Sequence, residues 1–398
     1  MQPERTQVVI VGAGPAGLML AHKLHRRGIS AINLDLRPRA VIESTHRAGI
    51  LEDRTVRMLS DEEVSERYRT DGYEHDGVEL RIDGEGHRID FRALVGASVW
   101  LYPQTDVFID LAAARDRDGG DVRFGVRDTA CDLSGERPQV RFVDADGHDC
   151  LIEADFLVGA DGSRSICRDL IPGAERFFRE YPYAWYGISC EAPMSSPELI
   201  YASSPHGFAL ISQRTETLQR MYLQTPLPDP ANPDSDLDTW SEDRIWDQLA
   251  KRVNGNGFEL ITGRITERVL LPFRSFVQQP MHHGRLVLAG DAAHTVPPTG
   301  AKGLNLALAD VQVLAEVMQR AVAADDPGLF AEYQRRAIER VWRAQNFSYW
   351  FSQLMHTPPP GTNPFDEQRR RGEQEYVARH RAGQTYVAEA YTGWPNES

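Results

Sequence analysis

The chain has 398 residues, 41% of them hydrophobic and 26% charged, with 44 basic against 58 acidic side chains and a formal net charge of −14. That length accommodates two or three domains with a sizeable core, and the composition is that of a globular protein. The acidic balance speaks against a nucleic-acid or anionic-membrane surface, and no apolar run approaches the roughly 18 residues that a bilayer span needs.

Residues 7–11 form a short apolar run suited to a buried parallel strand. Pro15 stands where a first helical turn would begin, Leu18, Ala21 and Leu24 recur at helical spacing, and Gly28 offers a stop. Residues 31–35 read as the second strand of a βαβ unit. The apolar stretch 8–21 behind Arg5 has the look of a leader peptide, but Gly12, Gly14, Pro15 and Gly17 interrupt it, and a nucleotide-binding loop accounts for them better. Residues 122–158 hold short β-like runs with Asp146-Gly147 as a turn signal. Residues 186–226 are rich in strand formers, and 208–214 and 219–224 should pair around a short turn. The Pro-, Asp-, Asn- and Ser-rich stretch 226–243 is expected to be a surface loop. Residues 285–289 read as another buried strand, followed by a Gly/Pro-rich loop and helices over 304–323 and 329–355. Beyond Pro358 to Pro360 a charged helix is expected over 367–380. Cys131, Cys150, Cys167 and Cys190 lack metal-like spacing and read as reduced, buried thiols of a cytoplasmic protein, with no metal site expected.

Three loops carry the chemistry. The first is Gly12-Ala13-Gly14-Pro15-Ala16-Gly17, between a predicted strand and a predicted helix. Its glycines let backbone approach a pyrophosphate whose charge the helix N-terminus favours, and Asp35, at the end of the next strand, is placed to bind a ribose hydroxyl pair. The second is Gly159-Ala160-Asp161-Gly162, after the apolar run Phe156-Leu157-Val158. The third is Leu288-Ala289-Gly290-Asp291-Ala292-Ala293-His294. Alternation along a strand also puts Leu210, Ser212 and Arg214 on one face, and Arg220 and Tyr222 on one face of the partner strand. That patch combines an apolar floor, a hydroxyl, a phenol and two guanidiniums, and Arg214 can clamp a carboxylate bidentately with Ser212 and Tyr222 as further donors.

In this order and at these spacings the three loops resemble those of the single-component FAD-dependent aromatic hydroxylases. Arg47-Ala48-Gly49, His75-Asp76-Gly77-Val78-Glu79, Gly207-Phe208-Ala209-Leu210, Ser212-Gln213-Arg214 and residues 290–305 extend the resemblance over nearly the whole chain. They narrow it to members acting on para-hydroxylated benzoates. The resemblance implies a mixed α/β flavoprotein. A Rossmann-like FAD-binding domain (1–177) would interleave with a β-sheet substrate domain (178–284), ahead of an FAD-contacting loop and helical dimer-contact region (285–398). It implies FAD as cofactor, NADPH or NADH as co-substrate, a small aromatic carboxylate and O2 as partners, and a homodimer. The implied activity is hydroxylation of 4-hydroxybenzoate to 3,4-dihydroxybenzoate through a flavin C4a-hydroperoxide. A hydroxylase of 4-aminobenzoate or 3,4-dihydroxybenzoate, and a flavoprotein oxidase or redox sensor, remain as alternatives.

The same resemblance assigns roles. Tyr201, Ser212, Arg214, Tyr222 and Pro298 would contact substrate. Tyr201 would bond the substrate hydroxyl and favour its phenolate, with Tyr391 behind it and His75 carrying the relay towards solvent. Gly12, Gly14, Gly17, Asp35, Arg47, Gln104, Asp161, Arg220, Asp291, Lys302 and Asn305 would serve FAD. Asp291 would bond the ribityl chain, and Lys302 would add positive charge to the site. Arg164, Arg168 and Arg274 would meet the nicotinamide cofactor. Two departures stand out. Thr45 and His46 precede Arg47 where the family usually carries a second Arg two residues earlier. The stretch Leu36-Arg37-Pro38-Arg39-Ala40-Val41 departs from the NADPH-using pattern, so the choice between NADPH and NADH stays open.

Overall fold

A computed structural model describes residues 3–45, 49–232 and 235–394. Two large sheets and a helical C-terminal region make up a mixed α/β fold. The strand Glu4–Val11 buries its last four residues completely or nearly so, as a run of β-branched side chains between two neighbours should. It lies between Ala31–Asp35 and Asp149–Gly159, parallel to both, and Leu286–Leu288 continues the sheet in parallel beyond Asp149–Gly159. Asp121–Phe124 extends the other side. The helix Pro15–His25 starts on its proline and buries Leu18, Ala21 and Leu24 against this sheet's core. Between residues 122 and 158 the expected short runs form the strands Arg127–Asp132 and Gln139–Val143 and lead into Asp149–Gly159, with the turn at residues 144–148 organised by the Asp144 carboxylate.

The second sheet has eight strands. At its centre Glu175–Glu191, Leu218–Pro226, Gly207–Thr215 and Leu199–Ser204 run antiparallel in succession. Gly77–Ile82 then pairs in parallel with Leu199–Ser204, and Glu85–Asp90 closes that edge. The first 177 residues therefore supply strands to both sheets. Arg264–Gln279 covers the other edge and reaches His294–Thr295. The helices Gly303–Ala324 and Phe330–Met355 pack against the first sheet and span between the two.

Some expectations are corrected. The stretch 226–243 is not a bare surface loop, because a 3-10 turn at Leu237–Thr239 and the buried Leu237 and Trp240 anchor it to the sheet, and a helix starts at Glu242. The charged helix runs from Pro364 to Arg379, and a further helix, Arg381–Thr392, follows it and carries Tyr391. All four cysteines are free, but only Cys167 and Cys190 are buried; Cys131 and Cys150 lie half-exposed near strand ends on the first sheet. No described helix is long and apolar enough to cross a membrane.

Candidate active site

The three loops meet because the strands before them are neighbours. Val11 pairs with Gly159 and Gly159 with Leu288, so all three chains leave the sheet at the same level at their carboxyl ends. In open α/β sheets this is where ligands bind. Ala160 N–H donates to Val11 O (2.8 Å) and Ala289 N–H to Gly159 O (2.9 Å), which continues the registry into the loops. Gly12 has φ +114°, and a Cβ there would stand 2.1 Å from Ala160 O; one on Gly17 would stand 2.1 Å from Gly12 O. Gly14, by contrast, has nothing within 4 Å of where its Cβ would be, and it caps the helix with no side chain in the way. The result is a tightly built turn with one open side, aimed at the N-terminus of Pro15–His25, as a pyrophosphate site requires. Asp35 lies beside it, buried, accepting from Ala13 N–H (3.0 Å) and Arg37 N–H (2.9 Å).

In the second loop, Asp161 Oδ2 accepts from Ile166 N–H (2.7 Å), while Oδ1 is buried without a partner. Arg164 is exposed. Arg168 stacks on Phe276 (4.4 Å) and donates to Asp291 O (2.8 Å), tying the second loop to the third, and the exposed Arg274 reaches Ser163 Oγ (3.4 Å). The three arginines thus surround the same short turn. In the third loop Asp291 is exposed on the 3-10 turn Gly290–Ala292. The turn is held from below: the fully buried Asp310 carboxylate accepts from Gly290 N–H (3.0 Å) and from His294 Nε2 (2.6 Å). Neither His294 nor Asp310 was singled out for this role by the sequence reading. An orphaned acidic oxygen, an open glycine cradle and an exposed carboxylate on one rim fit a dinucleotide cofactor such as FAD.

Around the start of Gly303–Ala324, Asn305 is fully engaged: its Oδ1 accepts from Glu52 N–H (2.9 Å) and Thr55 Oγ1 (2.8 Å), and its Nδ2 donates to Ile50 O (2.8 Å). Lys302 is buried and its ammonium donates to Glu52 Oε1 (2.7 Å) and Tyr391 O (2.9 Å). Its positive charge is therefore matched by an acid that the sequence reading did not single out. Gln104 opens the helix Gln104–Arg117 beside Gly49. Arg47 lies outside the described residues.

The patch that the sequence assigns to substrate lies on the second sheet. Tyr201, Leu210 and Tyr222 are in register across three adjacent strands and share one buried cluster. Ser212 pairs with Arg220, and its Oγ donates to Arg220 O (2.8 Å). The register then slips between Gln213 and Thr215, placing Arg214 at a bulge, a device that re-aims a side chain. Arg214 is half-buried, yet its Nη1 is out of contact with solvent and has no hydrogen-bond partner. Burial lowers its pKa, opposed by the neighbouring Tyr222. Arg220 is committed elsewhere: its Nη1 donates to Ser189 Oγ (2.6 Å) and forms an ion pair with Glu267. At the other end, Tyr201 is buried, with its hydroxyl 2.7 Å from that of Tyr391 and 3.0 Å from Thr299 O. Burial pushes both phenols up in pKa. His75 is buried at the end of a short strand, with neither ring nitrogen hydrogen-bonded among the described residues, and burial lowers its pKa. Pro298 is exposed on the turn Pro298–Gly300. The sequence reading missed Trp185, whose ring lies 5.0 Å from that of Tyr222, and Leu199, buried in the same cluster.

Comparison with known proteins gives the family and the fold. Residues 5–348 match a family described as FAD binding domain. The p-hydroxybenzoate hydroxylase of Acinetobacter baylyi is 38% identical over 401 residues, covering 100% of this chain and 97% of that one. The crystal structure of p-nitrophenol 4-monooxygenase PnpA from Pseudomonas putida superposes with a TM-score of 0.80 at 18% identity, over 99% of this chain and 100% of that one. PqsL of Pseudomonas aeruginosa, a probable FAD-dependent monooxygenase, gives 0.78 at 20% identity over 93% and 99%. The two structural matches speak to the fold alone.

Proposed function

The chain belongs to the single-component FAD-dependent aromatic hydroxylases, and from that premise we propose that it converts 4-hydroxybenzoate to 3,4-dihydroxybenzoate with O2 and NADPH or NADH, releasing water. The observation that carries the substrate is the orphaned, buried Nη1 of Arg214. A guanidinium donor stripped of water and given no partner is poised for an incoming anion. Arg214 lies four residues beyond Leu210, the cross-strand partner of Tyr201, a separation of about 13 Å along the strand. On this reading one benzoate ring lies over Leu210, between the side chains of Tyr201 and Arg214. A carboxylate on Arg214, with Tyr222 as a further donor and Ser212 another once its hydroxyl turns from Arg220 O, sets a para-hydroxyl at Tyr201.

Because burial keeps Tyr201 and Tyr391 protonated, Tyr201 can turn its hydroxyl proton from Thr299 O to the substrate oxygen and favour its phenolate. The substrate proton passes through Tyr201 to Tyr391, 2.7 Å away, and on towards His75. The cofactor set named above fits FAD: Gly12, Gly14, Gly17 and the helix N-terminus for pyrophosphate, Asp35 for ribose and Asp291 for the ribityl chain. FAD, when bound, supplies the electron storage and O2 chemistry that these side chains lack. Arg164, Arg168 and Arg274 offer the nicotinamide cofactor's phosphates a cationic rim.

The test combines anaerobic flavin reduction by NADH and by NADPH, with and without 4-hydroxybenzoate, and identification of the aerobic product. We expect reduction to be faster with 4-hydroxybenzoate and the product to be 3,4-dihydroxybenzoate. Product only from 4-aminobenzoate or 3,4-dihydroxybenzoate would move the substrate within the family. Peroxide alone from every ring would make the protein an oxidase. We also propose a homodimer through the helical region and the strand beside it, where Trp342 (40% exposed) and Tyr349 (37%) on the helix Phe330–Met355 and Phe178 (56%) on the strand Glu175–Glu191 leave apolar surface uncovered. Sedimentation at the 44.8 kDa of one chain would exclude it.

A further inference from the structure

The C-terminal end of the helix Phe330–Met355 is stitched to the second sheet by side chains. Thr357 N–H donates to Gln224 Oε1 (2.9 Å), Gln224 Nε2 returns a bond to Thr357 O (2.8 Å), and Thr357 Oγ1 donates to Ser204 O (2.9 Å). Arg370 and Gln374 satisfy Leu354 O (3.0 and 2.8 Å). His356 sits at the centre, 1% exposed. Its ring lies between Tyr183 (4.4 Å, 8° between planes) and Phe208 (4.3 Å, 29°). Nδ1 faces Ser352 O (2.8 Å), so it carries the proton, and Nε2 accepts from the indole N–H of Trp185 (2.7 Å). An indole can only donate, so both partners select the same neutral tautomer. Burial lowers the imidazole pKa to about 3, and no second proton competes with the indole in the neutral range.

Trp185 in turn packs on Tyr222 (5.0 Å) and Phe208 (5.4 Å), and Phe208 lies 6.0 Å from Tyr201. The same helix end touches the hydroxyl end of the patch. Phe351 is 5.1 Å from Tyr201, and Ser352 Oγ donates to Thr299 Oγ1 (2.7 Å). We propose that His356 is a positioning residue for the aromatic site: it fixes the indole of Trp185 against Tyr222 and so sets the width of the slot in which the substrate ring lies between Arg214 and Tyr201. This rests on the reading that the patch takes an aromatic carboxylate.

The test uses the FAD-loaded full chain and four variants, His356→Leu, His356→Gln, Trp185→Phe and the Leu/Phe double variant. The indole N–H resonance of Trp185, identified among the seven tryptophans by its loss in Trp185→Phe, reads the bond without ligand. In His356→Leu we expect that resonance to shift and lose its exchange protection. We expect 4-hydroxybenzoate to bind about tenfold more weakly, and less product per nicotinamide consumed. His356→Gln keeps an acceptor and should recover most of both. The double variant removes both polar partners and should regain thermal stability without regaining affinity. If the wild type does not bind 4-hydroxybenzoate, benzoate and phenol replace it as probes; that result counts against the substrate assignment and leaves the comparison between variants intact. Wild-type affinity and product yield in His356→Leu would overturn the proposal. So would their full return together with stability in the double variant, since His356 would then serve folding alone.

Discussion

Arg214→Ala separates a binding residue from a structural one, because the two roles predict different effects on the ligand-free fold and on ligand affinity. In the free protein Nη1 is buried and unpartnered, a state that costs about 1–3 kcal/mol for an unmade hydrogen bond. Truncation removes that cost while losing the packing of the aliphatic stem. The melting temperature of the ligand-free protein should therefore move by no more than about 3 °C in either direction. Ligand binding should behave quite differently. Removing one partner of a buried, hydrogen-bonded charge pair costs about 2–5 kcal/mol, which at about 1.4 kcal/mol per decade weakens 4-hydroxybenzoate at least about 30-fold. Arg214→Lys should recover little, since an ammonium cannot reproduce the planar fork.

Flavin-perturbation titrations with 4-hydroxybenzoate and with phenol form the assay. Phenol lacks the carboxylate, so its weak binding should be indifferent to the substitution. Equal losses for both ligands, together with a fall of many degrees in melting temperature, would show that Arg214 supports the sheet. Unchanged 4-hydroxybenzoate affinity in both variants would show that its guanidinium points elsewhere.

Tyr201→Phe should keep substrate binding but continue to oxidise NAD(P)H with much less hydroxylated product and more hydrogen peroxide, measured as product per nicotinamide; wild-type coupling would remove Tyr201 from substrate activation. Asp291→Ala should weaken FAD retention, followed by flavin fluorescence on dilution, and unchanged affinity would refute the ribityl contact. His294 and Asp310 give a pH dependence. Burial opposes the charged imidazole, but the Asp310 carboxylate outweighs it, and the pKa ends above 6.5. The pair's contribution to stability is whole below that value and is lost as the pH rises through the raised one. Relative to His294→Asn, wild-type stability should thus decline on the alkaline side, read from denaturant midpoints; parallel profiles would contradict it.

The elements most legible in the sequence are those whose burial is dictated locally. Ala31–Asp35 was expected at its observed bounds because every residue in it is buried and turn residues flank it. The glycine loop and Asp35 were legible for a similar reason, since an open cradle beside a helix start needs those residue types at those spacings; the third loop was legible only through its resemblance to the family. The helix Gln104–Arg117 and the pairing of Gly77–Ile82 with Leu199–Ser204 were not anticipated. The latter joins segments more than a hundred residues apart, and nothing local marks it. The site divides along the same line. Arg214, Ser212 and Tyr222 share a face by strand alternation, which two adjacent runs reveal. Glu52 meets Lys302 across 250 positions, and His356 meets Trp185 across 171, so neither pairing has a signature in either segment.

Distant pairings also decide which of the described basic side chains lacks an ion-pair partner. Four basic side chains were read as close to the flavin and substrate: Arg47, which lies outside the described residues, and Lys302, Arg220 and Arg214. Lys302 is matched by Glu52 and Arg220 by Glu267; Arg214 has no ion-pair partner among the described residues. On the proposed reading, the carboxylate would bind at the Arg214 end of the slot, which would orient a para-substituted ring. Glu267→Gln tests this division. It leaves Arg220 with its Ser189 contact but without its acid, 5.4 Å over the ring of Tyr222. A second uncommitted guanidinium should raise the affinity of simple inorganic anions as competitors and make the apparent Kd for 4-hydroxybenzoate more sensitive to chloride. Glu267 is half-exposed, so the effect should be a few-fold and largest at low ionic strength. Titrations in chloride and in a bulky organic anion separate specific competition from general screening. If Glu267→Gln shows the wild-type chloride dependence in both, Arg220 is not restrained by its acid, and the proposed preference for anions at Arg214 needs another cause.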